Sequence, residues 1–304
     1  MTKENKNGEN NIDLSRCDIA CAKDMIPKVY ARIKKKYLNK DKLTGCPTGF
    51  RDLDSMTGGL QSSDLIVIGA RPSMGKTSFA LNIAQNISIR HKIPVAIFSL
   101  EMSTEQIVTR MMCTEAEICI HKIKTGNLQS NDWKKLATVM NEMSEAPIYI
   151  DDTSCSTIDD IAEKCRHLVK EEKNLGLVVI DYLQLIAGDE KDDRITQIAK
   201  ISNGLKNIAK ELNVPVIVLS QLSRSLETRK DKRPMLSDFR DSKVIAQVAD
   251  VVMFIYRDEY YLMGKEGIAE IIIAKNRYGV IGSFEVEFKS SIQKFKDIKI
   301  TETF

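Results

Sequence analysis

The feature that most constrains the fold is a run in which an apolar strand, a tight turn and a helix follow one another without interruption, from Leu65 to Leu81. The strand is Leu-Ile-Val-Ile-Gly, and the turn ends in Gly75-Lys76-Thr77. This order is typical of a phosphate-binding loop, in which backbone N–H groups and a helix N-terminus face the phosphates. Lys76 would then reach the β and γ oxygens, and the Thr77 hydroxyl would bind Mg²⁺. The alternative is a strand-to-helix turn that binds nothing.

The first half of this loop departs from the general pattern. The position of the first glycine is taken by Ala70, and Gly69 lies one residue too early. The spacing of strand, Gly-Lys-Thr and helix is otherwise in register, so the loop is still predicted to bind a nucleoside triphosphate. The residues expected to contact the nucleotide are Ser73, Met74, Gly75, Lys76, Thr77 and Ser78.

Length and composition indicate a soluble globular protein. A chain of 304 residues with 43% hydrophobic and 29% charged residues can form one large α/β domain with an appendage, or two small domains. The net charge is only +3, so any nucleic-acid-binding surface must be local. The seven scattered cysteines contain no CxxC pair and are expected to be reduced thiols. Since there is neither a signal-peptide pattern nor a long apolar run, we expect a cytoplasmic protein without a membrane partner.

The N-terminal part is predicted to differ from the rest of the chain. Residues 1–23 are expected to be a disordered leader, 24–47 an amphipathic linker helix with a linker, and 48–304 the main domain. The helix has one apolar stripe, and its other faces are basic. The stripe would bury itself in a groove of its own domain or of a neighbouring subunit, and a membrane or DNA surface is a third alternative. The stripe is formed by Ile26, Val29, Tyr30, Ile33 and Tyr37.

From Thr48 onward, predicted strands and helices alternate, which is typical of a mainly parallel sheet covered on both faces. Strands are predicted at 64–69, 95–100, 148–151, 177–181 and 214–220, and helices at 76–89, 103–113, 131–144, 156–172 and 196–212. The runs at 251–256, 268–275 and 282–288 have no helices between them, so they are expected to be antiparallel. The predicted fold is therefore α/β, with antiparallel strands at the C-terminal end.

Three polar side chains follow buried strands, where ligands of open α/β sheets bind. Asp181 closes an apolar run and is expected to bind Mg²⁺ with Thr77. Glu101 could orient or deprotonate a water that attacks the γ-phosphate, or it could merely favour the dipole of the next helix. Gln221 could sense the γ-phosphate without adding charge, or it could be an ordinary loop glutamine.

Six stretches of the chain form an ordered series of motifs: Thr48–Asp54, Ala70–Thr77, Phe98–Ser103, Ile180–Leu185, Leu219–Arg224 and Ile273–Arg277. In this order they resemble the motif series of the DnaB-type replicative DNA helicases. The resemblance covers residues 24–298, and it includes Ala70 in place of the usual P-loop glycine.

The resemblance implies a RecA-like P-loop ATPase that assembles as a ring hexamer around single-stranded DNA and moves along it 5′ to 3′, using ATP and Mg²⁺. It implies that Glu101 is the catalytic carboxylate, that Asp181 is the Walker B residue and that Gln221 couples ATP to DNA. Lys275 and Arg277 match positions that reach the γ-phosphate of a neighbouring subunit. Without the family, their alternation on a strand would favour a solvated face.

The resemblance also implies contacts with other molecules. The helix at 24–38 matches the family's linker helix, which docks on the adjacent subunit. A basic loop would attract DNA phosphates without sequence preference. The residues expected to contact DNA are Arg229, Arg233, Arg240, Asp241 and Lys243.

The chain departs from the family at three places. Few residues precede the linker helix where the family has an N-terminal domain for primase contact, so the sequence is either a fragment or a short form. A primase and a loader stay open as partners, without the domain that the family uses for primase contact. Arg240-Asp-Ser-Lys243 replaces Arg-Glu-Ser-Gly, and 245–250 lacks two acidic residues of the family pattern. The main alternative function is therefore a nucleotide-dependent DNA-binding assembly module without unwinding activity. A RecA-like recombinase or clock-type ATPase is a further alternative, against which the stretch at 233–238 argues.

Overall fold

A computed structural model describes residues 21–38, 43–172, 174–239, 243–261 and 266–298. Within these ranges it does not describe the side chains of Arg32, Lys35, Lys36 and Lys243. The predicted leader lies outside the described residues up to position 20, as do Arg240 and Asp241.

The described residues belong to two units, one before and one after the boundary at 42/43. The first unit contains helix α1, Ala22–Leu38. The apolar stripe predicted for this helix is present and exposed: Ile26 is 64%, Tyr30 is 68% and Ile33 is 58% accessible. An exposed stripe of this kind is a candidate contact surface.

The second unit contains the remaining helices and all the described strands. The helices are α2 Arg51–Thr57, α3 Lys76–Gln85 with a π-helical continuation Asn86–Arg90, α4 Thr104–Ala116, α5 Ile120–Thr125, α6 Ser130–Ser144, α7 Ile158–Glu172, α8 Arg194–Leu212 and α9 Lys243–Val248. The strands are β1 Leu65–Ala70, β2 Val95–Ser99, β3 Ile148–Asp151, β4 Leu177–Asp181, β5 Val216–Gln221, β6 Val251–Tyr256, β7 Ile268–Asn276, β8 Gly282–Lys289 and β9 Lys294–Asp297.

The strands form a nine-stranded sheet in the order β3-β2-β4-β5-β1-β6-β7-β8-β9. The pairs from β3 to β6 are parallel, and β6 to β9 are antiparallel. Both parts of the predicted fold are therefore confirmed. Because β1 lies between β5 and β6, both parallel to it, the loop after β1 is at the carboxyl edge of the parallel strands, flanked by the ends of two neighbouring strands.

The sheet has an apolar core on each face, because alternate residues of each strand point to opposite sides. On β1, Ile66 and Ile68 join the core that contains α3, whereas Leu65 and Val67 join the core that contains α7 and α8. All six residues of β1 are buried. A strand buried on both faces must hold its backbone firmly, so β1 is a rigid support for the loop that follows.

Helix α4 begins with a capping box formed by Ser103 and Gln106. The backbone N–H of Gln106 donates to the Ser103 hydroxyl (3.3 Å), and the Ser103 N–H donates to the Gln106 side-chain oxygen (3.2 Å). This reciprocal pair satisfies two N–H groups that would otherwise lack partners at the start of a helix. It also sets the point at which the chain leaves Glu101 and turns into the helix.

Several short elements were not predicted. They are α2, α5, α9 and β9, which have four to seven residues each. The sequence of β9 is Lys-Phe-Lys-Asp, in which only Phe295 is buried. Its ring lies 5.2 Å from that of Phe79 and 4.3 Å from that of Phe288, measured between centroids. Tertiary packing of one aromatic residue, and not local periodicity, therefore places this strand.

No helix among the described residues is long and apolar enough to cross a membrane. The six cysteines in the described part of the chain are free thiols. Burial raises the pKa of Cys165 to about 12, so its sulfur stays protonated at neutral pH and behaves as a small apolar group.

Candidate nucleotide site

The loop between β1 and α3 has the backbone shape of an anion-binding turn. Ser73 and Gly75 both have positive φ, +66° and +94°, and Gly75 is the N-cap of α3. A Cβ on Gly75 would lie 2.9 Å from the ring of Phe295, so a larger residue is excluded by crowding as well as by the backbone angle. Met74 is buried and packs in the apolar core that contains α3. Gly75, Lys76, Thr77 and Ser78 line a neighbouring cavity, so the N-terminus of α3 adjoins it.

Lys76 is the first residue of α3, and its ammonium lies inside the site. Only 14% of its side chain is exposed, and Nζ is 3.9 Å from Oδ1 of Asp181. Nζ also lies 4.5 Å from the centroid of the Tyr182 ring. Burial lowers the pKa of Lys76, while the carboxylates of Asp181 and Glu101 oppose that shift. A largely buried ammonium whose ion-pair partner Asp181 is 3.9 Å away, beyond hydrogen-bonding distance, favours an added negative charge, such as a phosphate.

Thr77 and Asp181 form a short polar contact beside this lysine. The Thr77 hydroxyl donates to Oδ2 of Asp181 at 2.6 Å. Asp181 is 3% exposed, and its Oδ1 is a buried atom without a hydrogen-bond partner. A hydroxyl and a carboxylate with an unused oxygen are hard donors of the kind that Mg²⁺ prefers. The residues present therefore fit a magnesium ion held directly or through water.

A cavity of about 540 Å³ opens over the loop and has the size of a small-ligand site. Glu101, two residues after β2, and Gln221, the last residue of β5, line it together with the phosphate loop. The structure thus brings the predicted strand-end residues to one edge of the sheet. The described lining of the cavity contains four basic side chains and one acidic side chain, so the cavity favours a polyanion. These charged residues are Arg71, Lys76, Arg110, Arg257 and Glu101.

Two arginines of this lining, Arg257 and Arg110, were not predicted from the sequence. Arg257 donates to the Ser73 carbonyl (2.9 Å) and to Glu259, and its guanidinium lies 4.5 Å from the centroid of the Phe288 ring. It comes directly after β6, so the rule that found Glu101 and Gln221 could have found it as well. Arg110 projects from α4, where no sequence signal distinguished it from a surface arginine.

The Gln184 side chain is a second missed feature. Its Nε2 donates to the Ser220 hydroxyl (3.1 Å) and to the Gln221 carbonyl (3.3 Å), and its Oε1 accepts from the Gln221 N–H (3.4 Å). Gln184 lies three residues after Asp181. The turn after β4 is therefore hydrogen-bonded to the end of β5, which holds the backbone of Gln221 relative to the Asp181 carboxylate and leaves its side chain unrestrained by these bonds.

A family profile described as the DnaB-like helicase C terminal domain matches residues 45–297. The chain belongs to this family. It is 50% identical over 281 residues to the replicative DNA helicase DnaB of Geobacillus stearothermophilus, covering 91% of the chain and 62% of that relative. It is 46% identical over 271 residues to the DnaB of Haemophilus influenzae, covering 88% and 58%. The chain thus spans about three fifths of the length of these relatives.

Two solved structures have the same fold. One, described as an ATPase domain, superposes with a TM-score of 0.88 at 39% identity, covering 93% of this chain and all of that one. A DnaB-like replicative helicase whose structure is described with its interactions with primase gives 0.85 at 39% identity, covering 93% and 68%. These similarities agree with the RecA-like architecture expected from the sequence motifs.

Lys275 and Arg277 do not line the described cavity of their own chain. The family resemblance predicts that they act at the site of a neighbouring subunit. The Lys275 ammonium donates to the carbonyls of Ala246, Gln247 and Ala249 at 2.9, 2.8 and 2.6 Å, which caps the end of α9. Arg277 pairs with Asp250 at 3.0 Å, and 44% of its side chain remains exposed. Of the two, only Arg277 presents a cation to the outside.

The predicted DNA-binding cations have different environments. Arg229 makes two bonds to the Asp238 carboxylate, at 3.0 and 2.9 Å, and its side chain is 28% exposed. Arg233 pairs with Glu270 at 2.8 Å but is half exposed. Arg240, Asp241 and the Lys243 side chain lie outside the described residues. Phe239 is fully buried, so it offers no ring for stacking on a base.

Proposed function

We propose that this chain is the ATP-hydrolysing motor of a DNA helicase of the replicative type. The observation that carries the proposal is the Thr77–Asp181 contact, which leaves one buried carboxylate oxygen without a hydrogen-bond partner, 3.9 Å from the Lys76 ammonium. This arrangement suits a magnesium–nucleotide complex. The named relatives are replicative DNA helicases, which supports the same activity here and does not favour an assembly module without unwinding activity.

Within the site, each residue has a separate task. The N–H groups at the start of α3 and the Lys76 ammonium would hold the β and γ phosphates of ATP, and Thr77 with Asp181 would hold Mg²⁺. When bound, Mg²⁺ supplies positive charge that offsets the charge developing on the phosphate oxygens. Glu101 would orient the attacking water and accept its proton. Gln221 would hydrogen-bond near the γ-phosphate and change position when that phosphate leaves.

The proposed site is completed by a second copy of the chain in a ring hexamer. Arg277 would reach the neighbour's γ-phosphate, where a guanidinium in trans stabilises the transition state and makes hydrolysis depend on assembly. Lys275 would have to leave three carbonyl acceptors to do the same, so we assign it to hold α9 beside Asp250. The exposed stripe of α1 would pack on the adjacent subunit.

Single-stranded DNA is the proposed track, with movement 5′ to 3′. Contacts would come from the loop that contains Arg233, Arg240, Asp241 and Lys243, whereas Arg229 would shape that loop through Asp238. Binding through phosphates would be salt-sensitive and independent of sequence. The proposal is tested by ATP hydrolysis with and without single-stranded DNA, together with strand separation at a forked duplex.

The trans assignment predicts complementation between two inactive variants. Arg277→Ala protein has an intact loop and Lys76→Ala protein has an intact arginine, so a mixed ring contains some complete sites. At equal amounts and random order, about a quarter of the interfaces would be complete. We expect ATPase activity to return on mixing under conditions of subunit exchange, measured against each variant alone. Absence of recovery, with exchange verified by labelled subunits, would contradict the role of Arg277.

A further inference from the structure

Arg71 belongs to the phosphate loop, but its guanidinium bonds to a different part of the chain. Nη1 donates to the Leu222 carbonyl (2.9 Å), Nε donates to Oε1 of Glu227 (2.9 Å), and Nη2 lies 2.8 Å from the same oxygen. The Arg71 side chain is 8% exposed. A nearly buried guanidinium with directional partners has little freedom to move without them.

The partners of Arg71 lie at the start of the segment that follows β5, residues 222–239, which we name the coupling segment. The Leu222 N–H donates to the Ala70 carbonyl (3.2 Å), so its first residue is tied to the loop by backbone as well. The Ser223 N–H donates to the Asp238 carbonyl (3.0 Å), which brings the two ends of the segment together. Arg229 bonds the Asp238 carboxylate, and Leu226 and Phe239 are buried.

These contacts make the coupling segment a closed, packed unit. One end follows Gln221 in the nucleotide cavity, and the other end is followed directly by Arg240. Because packed units move as bodies and do not bend continuously, a shift of the phosphate loop would be transmitted to the far end of the segment. The ion pair of Arg71 with Glu227 is a side-chain contact that joins the phosphate loop to the coupling segment.

We propose that the Arg71–Glu227 pair is the tether through which nucleotide binding and DNA binding influence each other. Arg71 is then a positioning residue, since its donors point to the coupling segment and not to the phosphates. This inference rests on the proposed function, because it requires a nucleotide at the loop and DNA at the far end of the segment. It goes further by assigning the coupling to a named pair outside the strand-end residues.

The tether has a consequence in both directions, because coupling free energies are reciprocal. Single-stranded DNA should raise ATPase activity, and nucleotide should raise DNA affinity, each through the same pair. Two ratios report this coupling: ATPase activity with and without single-stranded DNA, and DNA affinity with and without nucleotide. Loss of the tether should bring both ratios toward one. A residue that only stabilised the fold would lower basal and DNA-stimulated rates together and would leave their ratio unchanged.

The experiment uses variants of Glu227, which does not line the nucleotide cavity. Glu227→Ala removes the oxygen that accepts from Nε and faces Nη2 of Arg71, and Glu227→Gln removes the charge but keeps an amide oxygen that can accept from the Nε–H. Both variants change the charge of the segment equally, so a difference between them reports the tether. Glu211→Ala is the control, because it removes an exposed pair with Arg166 (2.6 Å) that connects α7 and α8.

For each protein, ATPase activity is measured with and without oligothymidine. The affinity for labelled oligothymidine is measured with and without a non-hydrolysable ATP analogue. We expect Glu227→Ala to reduce both ratios by about 5-fold or more, Glu227→Gln to fall between it and the unchanged chain, and Glu211→Ala to keep both ratios. Basal ATPase should stay within about twofold, since coupling can change without loss of the site itself.

Different failures have different meanings. If the unchanged chain shows neither ratio above one, the proposed function fails and the tether fails with it. If the unchanged chain shows both ratios but the Glu227 variants match it, the tether alone is wrong. Equal loss of basal and stimulated rates, or a Glu227→Gln protein that does not fold by thermal melting, would assign the pair a structural role and overturn the inference.

Discussion

Replacing Lys76 by alanine is expected to lower the rate of ATP hydrolysis by at least about 100-fold, and to weaken nucleotide binding as well. The ammonium is 14% exposed and lies 3.9 Å from the nearest oxygen of its ion-pair partner Asp181, so the β and γ phosphates would be its main counter-charge. Removing it leaves developing charge on the phosphate oxygens without a buried cation. The measurement is single-turnover hydrolysis together with the dissociation constant of a fluorescent ATP analogue.

The control for this change is Lys289→Ala, which removes an exposed lysine paired with Glu287 at 3.6 Å. It should leave both quantities unchanged, because a surface pair of this kind contributes little. A Lys76→Ala protein with a normal melting temperature and normal hydrolysis would show that the loop is not the site of ATP binding. That result would favour the strand-to-helix turn without a ligand.

Glu101→Gln is expected to lower hydrolysis by about 100-fold or more while nucleotide binding is retained, because general-base catalysis contributes factors of this size. The amide keeps the shape and one acceptor but cannot accept the proton of the attacking water. Binding should survive, since Lys76, Thr77 and the backbone N–H groups remain in place. The measurement is the separation of the ATP dissociation constant from the single-turnover rate.

Glu105→Gln is the matched control for this variant, because Glu105 is an exposed carboxylate in the first turn of α4. If Glu101 acts only on the helix dipole, both changes should alter stability by a few tenths of a kcal/mol and leave hydrolysis unchanged. Loss of hydrolysis in Glu101→Gln alone supports the catalytic role. Equal, small effects of the two substitutions would contradict it.

The parallel part of the fold could be predicted because five of its six strands, all except the edge strand β3, are buried on both faces and therefore appear as apolar runs. The predicted strand 177–181 has the bounds of β4, and Asp181 closes it as expected. The same reasoning placed Glu101 and Gln221 at one edge of the sheet, which the cavity confirms as their location. Their catalytic roles remain predictions, as do those of the other site residues.

The remainder of the cavity wall depends on tertiary packing. Arg110 reaches the site from the side of a helix, and no periodicity distinguishes such an arginine from one facing solvent. The ring of Phe288 and the positions of Ser290 and Gln293 come from the antiparallel strands at the end of the chain. Their approach to the loop depends on how the sheet is ordered, which local sequence does not encode.

Charge patterns were the least informative part of the sequence. Arg229 counted as one of several DNA-binding cations, yet its guanidinium closes the coupling segment through Asp238. Lys275 lies near the end of β7 and Arg277 directly follows that strand. Lys275 nevertheless caps a helix, whereas Arg277 stays about half exposed. A basic residue in the sequence shows only that a cation is present. Which carboxylate or carbonyl it meets is decided by the packing of distant segments.

The most direct test of the motor proposal is ATP hydrolysis measured with and without single-stranded DNA, on protein whose solution mass is determined under the same conditions. The proposal predicts a ring-sized oligomer whose hydrolysis rises with single-stranded DNA, falls with added salt and separates the strands of a forked duplex. Hydrolysis that does not respond to single-stranded DNA in an assembled oligomer would contradict it.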